Sequence, residues 1–157
     1  MAWQLWPGCC RRLARRWMGS EVAARAWVAV GSNMGDRAAY LATASAQLGA
    51  HHGIRLLRVT ESEETAPLGG LAQAAYLNQM LLIETTLEPR RLLGVCQAIE
   101  RAAGRERTSR WCSRTLDLDL VRYGDLLCDL PELSLPHPGL RDRGFWAREI
   151  AQLEAYG

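Results

Sequence analysis

Polar and apolar positions alternate from Thr115 onward. Leu116, Leu118 and Leu120 fall on one side, Asp117 and Asp119 on the other, the period of a strand with one face in the core. Residues 26–30 form an apolar run that predicts a first strand, ending in Gly31-Ser32-Asn33-Met34-Gly35-Asp36-Arg37. Gly31 and Gly35 permit positive φ there, and Ser32, Asn33 or Asp36 can cap the helix that follows. Leu41, Ala44 and Leu48 recur at helical spacing before Gly49 closes that helix. Residues 54–60 read as a second strand, 61–70 as an exposed loop broken by Pro67, Gly69 and Gly70, and 75–85 as a third strand. On the third strand Tyr76, Asn78, Met80 and Leu82 share a face. Asn78 is an amide among apolar neighbours, and a buried amide needs partners. Pro89 opens a helix whose core stripe is Leu92, Val95, Cys96 and Ile99, and Gly104 ends it. A basic loop over 105–110 leads into the aspartate strand. A short hairpin over 126–135, a turn-rich loop over 136–145 and a helix over 146–154 complete the pattern.

Two strand–helix–strand units with antiparallel pairing give the split βαβ plan. That is an α+β, ferredoxin-like sandwich: an antiparallel sheet with helices on one face and the active site on the other. A chain of 157 residues that is 48% hydrophobic and 23% charged suits one soluble domain, and no apolar run is long enough to span a bilayer. Residues 1–25 carry Trp3, Trp6 and Trp17 among paired arginines, with neither a helical period nor the apolar stretch of a secretory signal. They are expected to be a poorly ordered extension, leaving 26–157 as the functional domain.

The net charge of +2 is uneven. Residues 1–25 hold five arginines against Glu21, a net of +4, and the rest of the chain nets −2. The body is therefore no basic nucleic-acid binder, and no nucleic-acid or membrane partner is expected. The five cysteines, at 9, 10, 96, 112 and 128, are odd in number and lack zinc-finger spacing. They read as free thiols in a reducing, cytoplasmic compartment.

On the fourth strand the Asp117 and Asp119 carboxylates stand roughly 6.5 Å apart. At an effective dielectric near 20 they would repel by about 2–3 kcal/mol with nothing between them. A hard divalent cation removes that cost, since it prefers carboxylate oxygens together with substrate phosphates. Arg110 and Arg114 lie just upstream, and arginine suits bidentate phosphate binding. Taken alone the pair fits either a solvated strand face or a metal–nucleotide site. The Gly-Ser-Asn turn lacks the Gly-Lys-Ser/Thr ending of a P-loop and reads as structural. His51 and His52 look solvated, whereas His137 is held stiffly between Pro136 and Pro138.

Taken in order, several motifs are similar to one family, the hydroxymethyl-dihydropterin pyrophosphokinases of folate biosynthesis. They are Val28-Ala29-Val30-Gly31-Ser32-Asn33-Met34-Gly35-Asp36-Arg37, Glu64-Thr65-Ala66-Pro67-Leu68-Gly69, Tyr76-Leu77-Asn78, Gln97-Ala98-Ile99-Glu100, Gly104-Arg105, Arg114-Thr115-Leu116-Asp117-Leu118-Asp119-Leu120, and Pro136-His137-Pro138 with Arg143-Gly144-Phe145. The resemblance implies an ATP-dependent transferase of ferredoxin-like fold that moves pyrophosphate to the hydroxymethyl group of 6-hydroxymethyl-7,8-dihydropterin and releases AMP. It implies that Asp117 and Asp119 bind two magnesium ions and act in catalysis with Arg105 and Arg114. Gln97, Glu100, Arg107, Arg110, Trp111, His137 and Arg143 would bind ATP. Thr65, Pro67 and Leu68 would border the pterin, Asn78 would bond its edge, and Tyr76 and Phe145 would sandwich its ring. A monomer with a short C-terminus is expected, and residues 1–25 have no counterpart in the family. Two other readings are weighed: a catalytically weak pterin- or nucleotide-binding homologue, and an RNA-binding sandwich. The first would lack metal or arginine ligands that this chain keeps. The second needs aromatics and positive charge on the sheet face, where this chain has an acidic pair.

Overall fold

A computed structural model describes residues 23–67, 69, 72–104 and 115–155. Its elements run β1 (Ala24–Ser32), α1 (Arg37–Ala50), β2 (Ile54–Val59), β3 (Glu63–Thr65), β4 (Tyr76–Thr85), α2 (Pro89–Ala102), β5 (Asp117–Tyr123), β6 (Cys128–Leu130), β7 (Leu133–Leu135) and α3 (Gly144–Glu154). The main sheet has the order β2-β4-β1-β5, every pair antiparallel, with β3 also on β4. Each strand–helix–strand unit thus brackets a strand of the other, the expected split βαβ arrangement.

Alternation along the strands divides the side chains between two clusters. Ala26, Val28, Val30, Leu81, Ile83, Leu116, Leu118 and Leu120 face α1 and α2, where they meet Leu41, Ala44, Leu48, Leu92, Cys96 and Ile99. The predicted helix stripes therefore hold, except that Val95 is only half-buried. Asp36 caps α1 by accepting the Ala39 N–H at 3.0 Å. On the other face Trp27, Ala29, Met80, Leu82 and Val121 pack against Trp146, Ile150 and Leu153 of α3. That face is shared: α3 covers one end, and the aspartates stand at the other.

Three segments differ from the pattern-based expectation. Residues 63–65 lie in the span read as loop but form β3, because their backbone pairs with 76–78 of β4. β1 begins at Ala24, so the last residues of the expected extension belong to the sheet. Phe145 lies in the first turn of α3 instead of a loop. A groove of about 620 Å³ between α1 and α2, lined by residues such as Gln47, His51, Leu87 and Arg91, belongs to the helix layer and not to the aspartate face. Cys96 and Cys128 are buried, and burial pushes the Cys96 thiol up to about 12, so it stays protonated. None of the described helices is long and apolar enough to cross a membrane.

Candidate active site

β5 is an edge strand, and two of its outward backbone groups are bonded by residues of α2 and of the loop after β7. The Leu118 N–H, between the two aspartates, donates to Glu100 Oε1 of α2 at 2.8 Å. The Val121 carbonyl accepts the His137 N–H at 2.8 Å. These bonds cover part of an edge that would otherwise offer itself to another strand, and they flank Asp117 and Asp119.

Asp119 stands between Arg143 and His137. Arg143 Nη1 donates to its Oδ2 at 3.2 Å, and His137 Nε2 lies 3.8 Å from Oδ1. His137 Nδ1 accepts the Gly139 N–H at 3.0 Å, which leaves the ring proton on Nε2, facing the carboxylate. A Cβ at Gly139 would stand 3.0 Å from His137 Nδ1 and 3.1 Å from Trp146, so a larger residue here would press on both rings. Trp146 supports both partners: His137 meets it edge-on at 5.3 Å, and the Arg143 guanidinium sits 4.3 Å above its ring. Burial and then the Asp117 charge raise the pKa of Asp119, against the pull of His137 and Arg143.

The register carries the site across the sheet. Asp117 pairs with Gly31, and Gly31 pairs with Asn78; one row along, Asp119 pairs with Ala29 and Ala29 with Met80. Small residues on the middle strand leave a low floor between the aspartates and Asn78, about 10 Å across at ordinary strand spacing. At Gly31 a Cβ would stand 3.0 Å from Asn78 Oδ1 and 3.8 Å from the Tyr76 ring, so a larger residue would make the amide give way. Asn78 Nδ2 donates to Thr65 Oγ1 at 2.7 Å, and Thr65 pairs with Tyr76. Behind this end, the buried Asn33 donates to the Ala74 carbonyl at 3.4 Å, and Arg37 to the Ala75 carbonyl at 2.8 Å. These bonds tie the turn after β1 to the segment before β4.

Asp117, Asp119, His137 and Arg143 come together, as do Thr65, Tyr76 and Asn78, and the strand row joins the two groups. Pro67 is half-buried on the segment after β3, and Gln97 is half-buried on α2. Glu100 is 3% exposed and holds β5 by its backbone. Phe145 packs beside Trp146, ring centroids 6.2 Å apart, at the edge of the second cluster. The expected roles of Leu68, Arg105, Arg107, Arg110, Trp111 and Arg114 fall outside the described residues. Sequence reasoning missed the part Gly31 plays in the floor and treated it as a turn residue. A glycine within an otherwise apolar strand run was the available signal.

Among the described residues no group of three or more His, Cys, Asp and Glu side chains is arranged to hold a metal ion. The donor set instead fits magnesium, which takes one or two carboxylates and completes its shell with substrate phosphates and water.

Residues 27–155 match the family described as 7,8-dihydro-6-hydroxymethylpterin-pyrophosphokinase. The chain belongs to that family. Relatives within it include the 2-amino-4-hydroxy-6-hydroxymethyldihydropteridine pyrophosphokinase of Bacillus subtilis, 38% identical over 82% of this chain and 77% of its own length. The protein of the same name from Methylorubrum extorquens is 40% identical over 82% of each chain. That of Pseudomonas aeruginosa is 36% identical over 82% of this chain and 80% of its own. A solved M20-family peptidase from Bacillus subtilis aligns with a TM-score of 0.38 at 10% identity, over 69% of this chain and 28% of its own, too slight a likeness to carry an argument.

Proposed function

We propose that this chain transfers the pyrophosphoryl group of ATP to the hydroxymethyl oxygen of 6-hydroxymethyl-7,8-dihydropterin. A bond forms between that oxygen and the β-phosphorus, the bond from the α-phosphate bridging oxygen to the β-phosphorus breaks, AMP leaves, and the hydroxyl proton is released. Family membership supports the reaction. The observation that carries the assignment of residues is the row Asp117–Gly31–Asn78, which sets a pair of carboxylates and a recognising amide on one sheet face across a glycine floor.

Asp117 and Asp119 would hold two magnesium ions. Those ions, when bound, neutralise phosphate charge and draw the reacting groups together, which is most of what phosphoryl transfer asks of a protein. Arg143 holds Asp119 in place and offers its remaining donors to phosphate; His137 orients the same carboxylate through Nε2. Arg105, Arg107, Arg110 and Arg114 would add charge on the nucleotide side, with Trp111 and Gln97 against ATP. Asn78 reads the polar edge of the pterin, backed by Thr65, while Tyr76 and Phe145 supply aromatic surface and Pro67 and Leu68 the rim. An amide with aromatic neighbours suits a flat heterocycle. The protein acts as a monomer in the cytoplasm.

The test is AMP release by the purified chain. AMP should accumulate only when ATP, magnesium and the hydroxymethyl-dihydropterin are all present. Release of ADP in place of AMP, or AMP release indifferent to the pterin, would contradict the reading.

A further inference from the structure

Glu149, on the second turn of α3, is 4% exposed. Its Oε1 accepts the Thr60 hydroxyl at 3.4 Å, and its Oε2 is buried with no hydrogen-bond partner among the described residues. Thr60 is tied to β4 three times. Its hydroxyl accepts the Met80 N–H at 2.9 Å, its N–H donates to the Met80 carbonyl at 3.0 Å, and its carbonyl accepts the Gln79 side-chain amide at 2.8 Å. Asn78 is the next residue along. Beside Glu149, Arg148 donates to both Glu63 oxygens at 3.0 and 3.3 Å, and Glu63 pairs with Asn78 in the ladder. At the other end of the helix Arg143 contacts Asp119. α3, about 16 Å long at 1.5 Å per residue, therefore straps the aspartate strand to the Asn78 strand.

Because the Thr60 hydroxyl accepts from Met80, its single proton is directed at Oε1. An ionised Glu149 would have one long hydrogen bond for a buried charge, with the Glu63 carboxylate nearby. Burying a charge so poorly matched is costly, and the neutral acid avoids that cost. We propose that Glu149 is a positioning residue that, as a neutral acid, latches α3 to the edge of β4 and so sets Arg143 and Phe145 against the Asp117–Asn78 row. The proposal rests on the reading of that row as the phosphate and pterin site.

The charged groups acting on Glu149 are Glu63 from β3 and Arg148 from its own helix; the end of β2 contributes the Thr60 hydroxyl, and β4 and β2 otherwise turn apolar Met80, Leu82 and Leu57 toward α3. Burial and then Glu63 raise its pKa from 4.5 to about 7, against Thr60 and Arg148. The folded value lies above the unfolded one. The stabilisation is therefore full below about pH 4.5 and is lost as pH rises through about 7.

The test follows the Michaelis constant for the dihydropterin from about pH 6 to about pH 8, with kcat resolved separately, in wild type, Glu149→Gln and Glu149→Ala. Wild-type KM should rise about three- to tenfold over that range, while the neutral isostere Glu149→Gln should keep the low-pH value throughout. Glu149→Ala should raise KM at both ends. A Glu149→Gln enzyme that follows the wild-type profile, or that already has a raised KM at the acid end, would overturn the latch. Thermal melting reads the same device without turnover: wild type should lose several degrees relative to Glu149→Gln over this pH range, and parallel melting profiles would overturn it. If wild type released no AMP, the proposed function would fail while melting still decided the latch.

Discussion

Ala29 and Gly31 set the depth of the floor between the aspartates and Asn78, so the smallest side chains of β1 matter as much as the charged ones beside them. Gly31→Ala would place a Cβ 3.0 Å from Asn78 Oδ1 and push the amide aside. Steady-state kinetics should show KM for the pterin rising by about tenfold with the fold intact, about 1.4 kcal/mol of recognition. Asp117→Ala and Asp119→Ala should each leave the circular dichroism spectrum unchanged and cut AMP release by about 10³-fold. Near-wild-type turnover in either would remove the metal assignment. The aspartates were legible because a two-residue period tells which side chains leave the core. The role of Gly31 was not, because it depends on which residue of a strand far away in sequence lies opposite. Glu149 escaped for a related reason: helical spacing gives a side chain's face, and only the docked helix shows what that face meets.

At the scale of elements, β5 owes its position to an acid on a helix. Glu100 accepts the backbone N–H between the two aspartates, so α2 and β5 form one mechanical unit. Glu100→Ala would leave the Leu118 N–H buried without that acceptor, at a cost of about 1–3 kcal/mol. Thermal unfolding should show a loss of several degrees, and turnover should fall too, because both flanking carboxylates lose their anchor. Glu100→Gln keeps an acceptor oxygen and should recover most of the melting temperature; an Ala variant as stable as the Gln variant would show that this bond does not hold β5. The two long helices and the four main strands were legible from periodicity and from Pro89 and Gly104, although the first helix runs through Gly49, read as its end, to Ala50. β3 was not, since three residues in a turn-rich span give no period, and their strand character comes from pairing with β4.

For the whole molecule, the split βαβ plan follows from the order of the predicted elements, and the helix stripes Leu41–Ala44–Leu48 and Leu92–Cys96–Ile99 account for the larger core. The smaller core was harder to foresee. Trp27, Trp146, Ile150 and Leu153 come from the two ends of the described chain, and no local pattern links them. Their packing brings α3 across the sheet face and delivers Arg143 to Asp119. It also roofs much of the surface that an RNA-binding sandwich would present. The most direct measurement of the central claim is the fate of the phosphorus atoms of ATP. With the chain, magnesium and 6-hydroxymethyl-7,8-dihydropterin, ATP labelled separately at the β and γ positions should transfer both labels to the pterin as one diphosphate and leave AMP unlabelled. Transfer of the γ label alone, with the β label retained in ADP, would contradict the account.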